Sequence, residues 1–170
     1  AKLGQLGFSS YWTPASATDA GGTAGGTMVA ISSLIPSSHL AAAPGGSAMD
    51  PLALPFEDIT PVVMKLDGFS FVAISHYLTT GLKLAGRNAR ILATIAAWVR
   101  LYGLPWLCMG DWNCSPAYLA KDPWLKLVEG HIVVPTDTSI TCTSGMGDML
   151  DFAVCSASMR PWIGYLRSFV

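Results

Sequence analysis

The pattern of apolar and polar positions becomes regular at about residue 60. Two apolar runs, residues 62–66 and 69–77, flank the dipeptide Asp67-Gly68. Runs of this length around Asp-Gly predict a β-hairpin, and its type I′ turn requires a positive φ at both turn residues. The hairpin is therefore the clearest local prediction in the first half of the chain.

The next segment has the 3.6-residue period of an amphipathic helix. Over residues 86–102 the large apolar side chains fall on one helical face: Ile91, Ile95, Trp98, Val99 and Tyr102. Gly103 ends this helix as a left-handed residue, and Pro105 prevents its continuation. We expect an apolar strand over 106–109, a second helix over 116–129, and further strands over 131–134 and 149–155.

The first third of the chain contains fewer periodic positions. Residues 1–27 are rich in Gly, Ser, Thr and Ala, and they predict a tight turn leading into a strand over 27–34. The Gly-rich run 21–26 has neither GxGxxG nor the Lys-Ser/Thr of a phosphate loop, so it indicates no nucleotide site. Prolines in the segment 35–58 predict a loop. The order of elements predicts one α/β domain, with helices outside packed sheets.

Composition narrows the class of protein. Hydrophobic residues make up 51% of the 170 residues and charged residues 12%, which excludes intrinsic disorder and favours a sheet buried on both faces. Ten basic and eleven acidic residues give no strong electrostatic attraction to nucleic acid or anionic membranes. We find no transmembrane segment or signal peptide, and the four cysteines lack CxxC spacing. These features favour a reduced, intracellular chain without a zinc site.

Candidate chemistry is concentrated where the 106–109 strand ends, in the sequence Gly110-Asp111-Trp112-Asn113. A carboxylate and an amide two residues apart at a strand end can face one cavity. Asp supplies anionic oxygen for Mg²⁺ or for a polarised water, and Asn supplies a donor and an acceptor for a phosphate. The alternative interpretation is an Asx turn, because Asp and Asn favour turns generally.

Two further motifs accompany this one in a fixed order. A strand that ends at Tyr77 comes before it, and Leu150-Asp151-Phe152 follows it. Over roughly residues 20–165 this order resembles the endonuclease/exonuclease/phosphatase superfamily of Mg²⁺-dependent phosphodiesterases and phosphatases. The resemblance implies a four-layered, DNase I-like α/β sandwich, and it implies DNA or another phosphodiester as substrate. No protein partner is identifiable.

The resemblance also implies a role for each matching residue. Asp111 would orient or deprotonate the attacking water, or would bind Mg²⁺. Asn113 would donate a hydrogen bond to the scissile phosphate, and Tyr77 would lie near it. Asp151 matches the carboxylate that orients a catalytic histidine. Together these groups would support in-line attack on phosphorus.

Two parts of the superfamily pattern have no match. No glutamate precedes Glu57, so the metal-binding Glu is missing, and none of His39, His76 and His131 stands where the closing Asp-His pair belongs. We therefore expect a single domain over residues 1–170 that is truncated at both termini. We also expect no measurable Mg²⁺-dependent cleavage by these residues alone. The alternatives are a non-catalytic remnant of the same fold, or a small-molecule or phospholipid phosphatase of the same superfamily.

Overall fold

The computed structural model describes residues 2–17, 21–40, 58–142, 147–164 and 166. In chain order its elements are α1 (Lys2–Gln5), β1 (Phe8–Thr13), β2 (Ser16–Ala17), β3 (Thr23–Ala24), β4 (Thr27–Ser32), β5 (Ser37–His39), β6 (Ile59–Leu66), β7 (Phe69–Tyr77), α2 (Arg87–Tyr102), β8 (Trp106–Asp111), α3 (Pro116–Leu119), α4 (Pro123–Leu127), β9 (Gly130–Val133), β10 (Asp151–Ser156) and a 3₁₀ helix (Arg160–Trp162).

A mixed six-stranded sheet forms the centre of the molecule, with the strand order β5-β6-β7-β8-β10-β9. Its one parallel pair is β7–β8, and the other four pairs are antiparallel. The helix α2 connects the two parallel strands, as such a crossover requires. This connection brings the carboxyl ends of β7 and β8 to the same edge of the sheet.

Different layers cover the two faces of this sheet. The helices α2 and α4 cover one face, whose core includes Val72, Ile74, Ile95, Trp98, Trp106, Cys108, Trp112, Phe152 and Val154. The antiparallel ribbon β1–β4 packs on the other face, where a smaller core contains Phe71, Ala73, Cys155 and Met159. The predicted α/β class, with helices outside packed sheets, is confirmed.

The helix predicted over residues 86–102 is confirmed as α2. Gly103 caps its carboxyl end with φ 59° and donates its N–H to the carbonyl of Val99. The amino end has no side-chain cap. Instead the fully buried Asn88 bonds both backbone groups of Thr79 and the carbonyl of Lys83. Asn88 therefore fixes the loop that leaves β7.

The hairpin is confirmed, but its predicted turn type is wrong. The strands β6 and β7 pair up to Leu66 and Phe69, so Asp67-Gly68 is the two-residue connection. Only Gly68 has a positive φ, 70°, whereas a type I′ turn needs positive φ at both positions. The glycine alone supplies the left-handed conformation.

The predicted second helix over 116–129 is also wrong, because it is divided into α3 and α4. The Asp122 carboxylate accepts the Trp124 N–H at 2.8 Å and caps α4. Pro123 follows as the first helical residue and has no N–H to continue α3. The Asp122-Pro123 cap therefore divides the predicted helix into two short ones.

Four strands occur where none was expected, and two of them, β2 and β3, pair with each other. The segment Phe8–Thr13 forms β1 and pairs with β4, and Ser37–His39 forms β5 within the predicted 35–58 loop. The remainder of that loop, residues 41–57, lies outside the described residues. The predicted strands over 27–34, 106–109, 131–134 and 149–155 are confirmed, with ends shifted by one or two residues. Across the described ranges, no helix has both the length and the apolar character needed to cross a bilayer.

Candidate functional site

Three of the four predicted site residues lie side by side at one edge of the central sheet. Asp111, the last residue of β8, pairs in parallel register with Tyr77, the last residue of β7. On its other side Asp111 pairs in antiparallel register with Asp151, the first residue of β10. Directly paired residues project from the same face of a sheet. Sequence motifs 34 and 40 residues from Asp111 therefore meet at one point.

The turn after β8 places Asn113 beside this row. The Asp111 Oδ1 atom accepts the Asn113 N–H at 2.8 Å, and Asn113 has φ 46°. This i to i+2 bond is an Asx turn, and Asn tolerates the left-handed conformation that it requires. The alternative interpretation of the motif is therefore correct as local geometry. It orients Asp111 through one carboxylate oxygen, Oδ1.

The Asn113 side chain binds the loop that follows β7 to the end of β8. Its Nδ2 donates to the carbonyl of Leu78, and its Oδ1 accepts the Thr80 hydroxyl at 3.0 Å. In addition, Leu78 donates its N–H to the carbonyl of Asp111 at 2.9 Å. The two strand ends are consequently tied together directly beyond the Tyr77–Asp111 pair.

Trp112 anchors this turn in the helix-facing core. Its side chain is fully buried, stacks on Phe152 with ring centres 5.1 Å apart, and donates Nε1–H to the Phe152 carbonyl at 3.0 Å. A residue buried in this way cannot stack on a nucleic-acid base. Because Trp112 points into the core, the preceding Asp111, the last residue of β8, projects from the opposite face of the sheet.

Gly110 allows β7 and β8 to approach closely behind the site. A Cβ atom at this position would lie 1.9 Å from the carbonyl oxygen of His76. His76 is itself buried, its Nδ1 lies 3.4 Å from the Cys108 sulfur, and its ring meets Trp112 edge-on at 4.1 Å. Burial lowers the pKa of His76 to about 3, so the ring is neutral. His76 is therefore part of the core packing behind the site.

In the row formed by Tyr77, Asp111 and Asp151, two carboxyl groups lie on directly paired residues, and this affects the pKa of Asp111. Burial raises the pKa of Asp111 above its usual value, the Asn113 N–H opposes that rise, and the charge of Asp151 adds to it. Burial, with the charges of Asp122 and Asp111, also raises the pKa of Cys114 to about 11. Both shifts have the same causes, because burial and neighbouring carboxylates each disfavour negative charge at this edge.

A third carboxylate, missed by the sequence analysis, lies at the next strand. Asp58 directly precedes β6, and its carbonyl accepts the Tyr77 N–H at 3.0 Å. Its buried carboxylate pairs with Arg87 at 2.8 Å and accepts the Gly26 N–H at 3.0 Å. A Cβ at Gly25 would collide with that carboxylate. Asp58 joins the starts of β4, β6 and α2, and no local pattern indicated this.

The histidines do not supplement the row. His39 lies on β5 beside Tyr11, and His131 lies on β9 opposite Cys155, at the far end of β10 from Asp151. Within the ranges that the structure describes, no three His, Cys, Asp or Glu side chains are grouped as a metal centre would require. Among the described residues, the two carboxylates that pair directly in this row are Asp111 and Asp151.

Comparison with known proteins gives a match in structure and none in sequence. No protein-family model and no curated protein matches the chain. The endonuclease domain of TRAS1, a telomere-specific non-LTR retrotransposon, is 14% identical with a TM-score of 0.63 over 89% of this chain. TDP2 from Caenorhabditis elegans is 13% identical, with a TM-score of 0.56 over 91%. An endonuclease/exonuclease/phosphatase family protein from Leptotrichia buccalis is 11% identical, with 0.53 over 87%.

The chain spans 67%, 48% and 60% of these three structures, respectively. Identities this low concern the fold alone. The shared fold agrees with the order of the three sequence motifs and with the strand ends at which those motifs meet. The chain therefore has a DNase I-like α/β-sandwich fold, similar to that of these three structures.

Proposed function

We propose that this chain carries the phosphodiester-binding half of a Mg²⁺-dependent nuclease site, formed by Tyr77, Asp111, Asn113 and Asp151. The observation that carries the proposal is the register that sets Asp111 between Tyr77 and Asp151. Ligand sites of α/β proteins gather at the carboxyl ends of parallel strands, and Tyr77 and Asp111 end such a pair. Two carboxylates directly opposite one another are unfavourable for folding, which supports a functional reason for them.

Asp111 is the proposed Mg²⁺ ligand, with Asp151 opposite it. Mg²⁺ is commonly bound by one or two protein carboxylates, and it completes its shell with waters and substrate phosphate. The raised pKa of Asp111 supports this assignment, because a dication would remove the repulsion that contributes to it. When bound, Mg²⁺ would supply positive charge against the phosphate oxygens.

The other groups act on the phosphodiester itself. Asp111 Oδ1 already accepts the Asn113 N–H, so the second carboxylate oxygen would bind Mg²⁺ or, as the alternative role, would orient or deprotonate the attacking water. One N–H of the Asn113 amide donates to Leu78, and the other would donate to a phosphate oxygen. Tyr77 would contribute its hydroxyl from the neighbouring strand end. Asp151 would orient a histidine if a longer protein supplies one.

DNA is the proposed substrate, and its support comes from the comparisons. The TRAS1 structure is described as an endonuclease domain of a retrotransposon. The net charge of −1 provides no broad cationic surface for DNA. Recognition would thus depend on the cation and on local contacts at the strand ends.

Binding of Mn²⁺, a paramagnetic substitute for Mg²⁺, tests this proposal in the chain as it is. NMR spectra of the ¹⁵N-labelled chain should show Mn²⁺ broadening centred on the amides of Tyr77, Asp111, Asn113 and Asp151. The variant Asp111→Asn should abolish it, whereas Asp67→Asn, in the exposed β6–β7 turn, should not. Equal broadening in wild type and Asp111→Asn would contradict the proposal.

Cleavage is a separate question. We expect the 170 residues alone to leave plasmid DNA intact in Mg²⁺, because no glutamate or histidine among the described residues joins Asp111 and Asp151. Nicking that a chelator stops would overturn this expectation. Cation binding without cleavage in a longer protein would favour the non-catalytic alternative.

A further inference from the structure

The start of β10 has a strand neighbour on one side only. On one side Asp151 pairs with Asp111 of β8. On the other side β9 begins to pair at Ala153, two residues further along. In the described part of the chain, no strand accepts the Asp151 N–H on that open side. A strand end with this exposure tends to fray.

The hydroxyl of Thr141 occupies the open side. Its Oγ1 lies 2.8 Å from the Leu150 nitrogen and 2.8 Å from the Asp151 nitrogen, and it accepts both N–H groups. A hydroxyl oxygen has two lone pairs and can accept two such bonds at once. On the β8 side, the Leu150 carbonyl accepts the Trp112 N–H at 2.8 Å. The segment that carries Asp151 is therefore held from both sides.

Thr141 is itself fixed by backbone bonds. The N–H groups of Thr141 and Cys142 both donate to the Asp148 carbonyl, each at 2.9 Å. In return Asp148 donates its N–H to the Cys142 carbonyl at 3.1 Å. One residue thus binds the chain at Asp148 through its backbone and at Asp151 through its side chain.

We propose that Thr141 is a positioning residue of the site, whose hydroxyl keeps the Asp151 carboxylate opposite Asp111. Valine has nearly the same shape but no hydroxyl, so it would leave two N–H groups at the start of β10 without their acceptor. The end of the strand would then open, and Asp151 would leave its register with Asp111. The effect of Thr141 on cation binding rests on the proposed function, whereas its effect on the strand end does not.

Amide hydrogen exchange measured by NMR tests the positioning role directly. In Thr141→Val, exchange at Leu150 and Asp151 should accelerate by about tenfold or more, while the amides of residues 153–155 keep their protection. Thr141→Ser retains the acceptor and should restore slow exchange at both positions. Acceleration of equal size along the whole of β10 would indicate general destabilisation and would overturn the proposal.

Mn²⁺ affinity provides the second readout. We expect Thr141→Val to bind Mn²⁺ several-fold more weakly, as measured by the broadening of the Asp111 amide signal. Thr141→Ser should bind Mn²⁺ with the affinity of wild type. The control is Thr138→Val, because the Thr138 hydroxyl bonds only Ile140 among the described residues. Loss of affinity in Thr138→Val equal to that in Thr141→Val would count against the role.

The two proposals can fail separately. If wild type binds no Mn²⁺ at this edge, the proposed function fails, and hydrogen exchange still decides the role of Thr141. If Thr141→Val does not fold, hydrogen exchange in wild type and in Thr141→Ser tests the role of Thr141. Slow exchange of the Asp151 amide in both supports the proposal, and exchange at the rate of an unprotected amide in either overturns it.

Discussion

The α-carbon of Gly110 lies against the backbone of His76, so that an added Cβ would be 1.9 Å from the His76 carbonyl oxygen and 2.9 Å from its Nδ1. Neither atom can move away easily, because His76 is part of the β6–β7–β8 pairing and its ring is enclosed by the core. The glycine that opens the Asp111 motif is therefore required by packing between two strands.

Gly110→Ala should destabilise the fold by about 3 kcal/mol or more, since overpacking against backbone forces the strands apart. Urea unfolding followed by circular dichroism measures this change. Gly164→Ala is the matched control, because nothing lies within 4 Å of a Cβ there, and it should change stability by less than about 0.5 kcal/mol. Similar losses in the two variants would contradict the packing explanation.

Asp111→Asn should raise the melting temperature at pH 7. Burial and the charge of Asp151 raise the pKa of Asp111 above 3.8 in the folded chain. Below pH 3.8 the carboxyl is neutral in the folded and the unfolded chain, so it does not change the free energy of unfolding. As the pH rises from 3.8 through the higher pKa of the folded state, the buried carboxylate next to Asp151 lowers that free energy. The asparagine cannot ionise, so we expect a gain of about 1–3 °C at pH 7.

This gain should vanish at pH 3, and scanning calorimetry at the two pH values measures it. Asp67→Asn, in an exposed turn, should show no comparable difference from wild type. A lower melting temperature for Asp111→Asn at pH 7 would mean that the carboxylate stabilises the fold, and that the repulsion from Asp151 is negligible.

Trp112→Phe should cost about 2 kcal/mol of folding free energy. The substitution removes buried volume and the Nε1–H bond to the Phe152 carbonyl, which would lose its side-chain donor in the core. Trp12→Phe is the matched control because Trp12 is 64% exposed, and we expect less than about 0.5 kcal/mol there. Chemical denaturation of both variants gives the comparison, and equal effects would exclude the anchoring role of Trp112.

Alkylation should distinguish the four cysteines. Burial raises the pKa of Cys108 and of Cys155, and it contributes most to the rise of the Cys114 pKa to about 11. Thiolates are the reactive species, so these three should resist iodoacetamide in the native chain. Cys142 is partly exposed and should react first. Peptide mass spectrometry measures the order, and rapid native labelling of Cys108 would show that the core opens.

Local sequence patterns were sufficient for the elements whose information is local. The apolar period of α2, its end at Gly103 and the apolar run of β8 each lie within one segment, and all three occur as predicted. The β1 strand was missed because a six-residue strand on a two-stranded ribbon has little apolar surface to show in its sequence. The helix predicted over 116–129 runs through Asp122-Pro123, a cap and a proline that begin a new helix.

The sequence by itself determined the α/β class, the order of the three motifs and the residue types that each motif presents. Only the tertiary structure decided that Tyr77, Asp111 and Asp151 occupy one row, because strand register depends on pairing between segments distant along the chain. It likewise directed Trp112 into the core and joined Thr141 to the start of β10. Contacts of this kind leave no periodic signal in the sequence, because the two residues of each contact come together only when the sheet has formed.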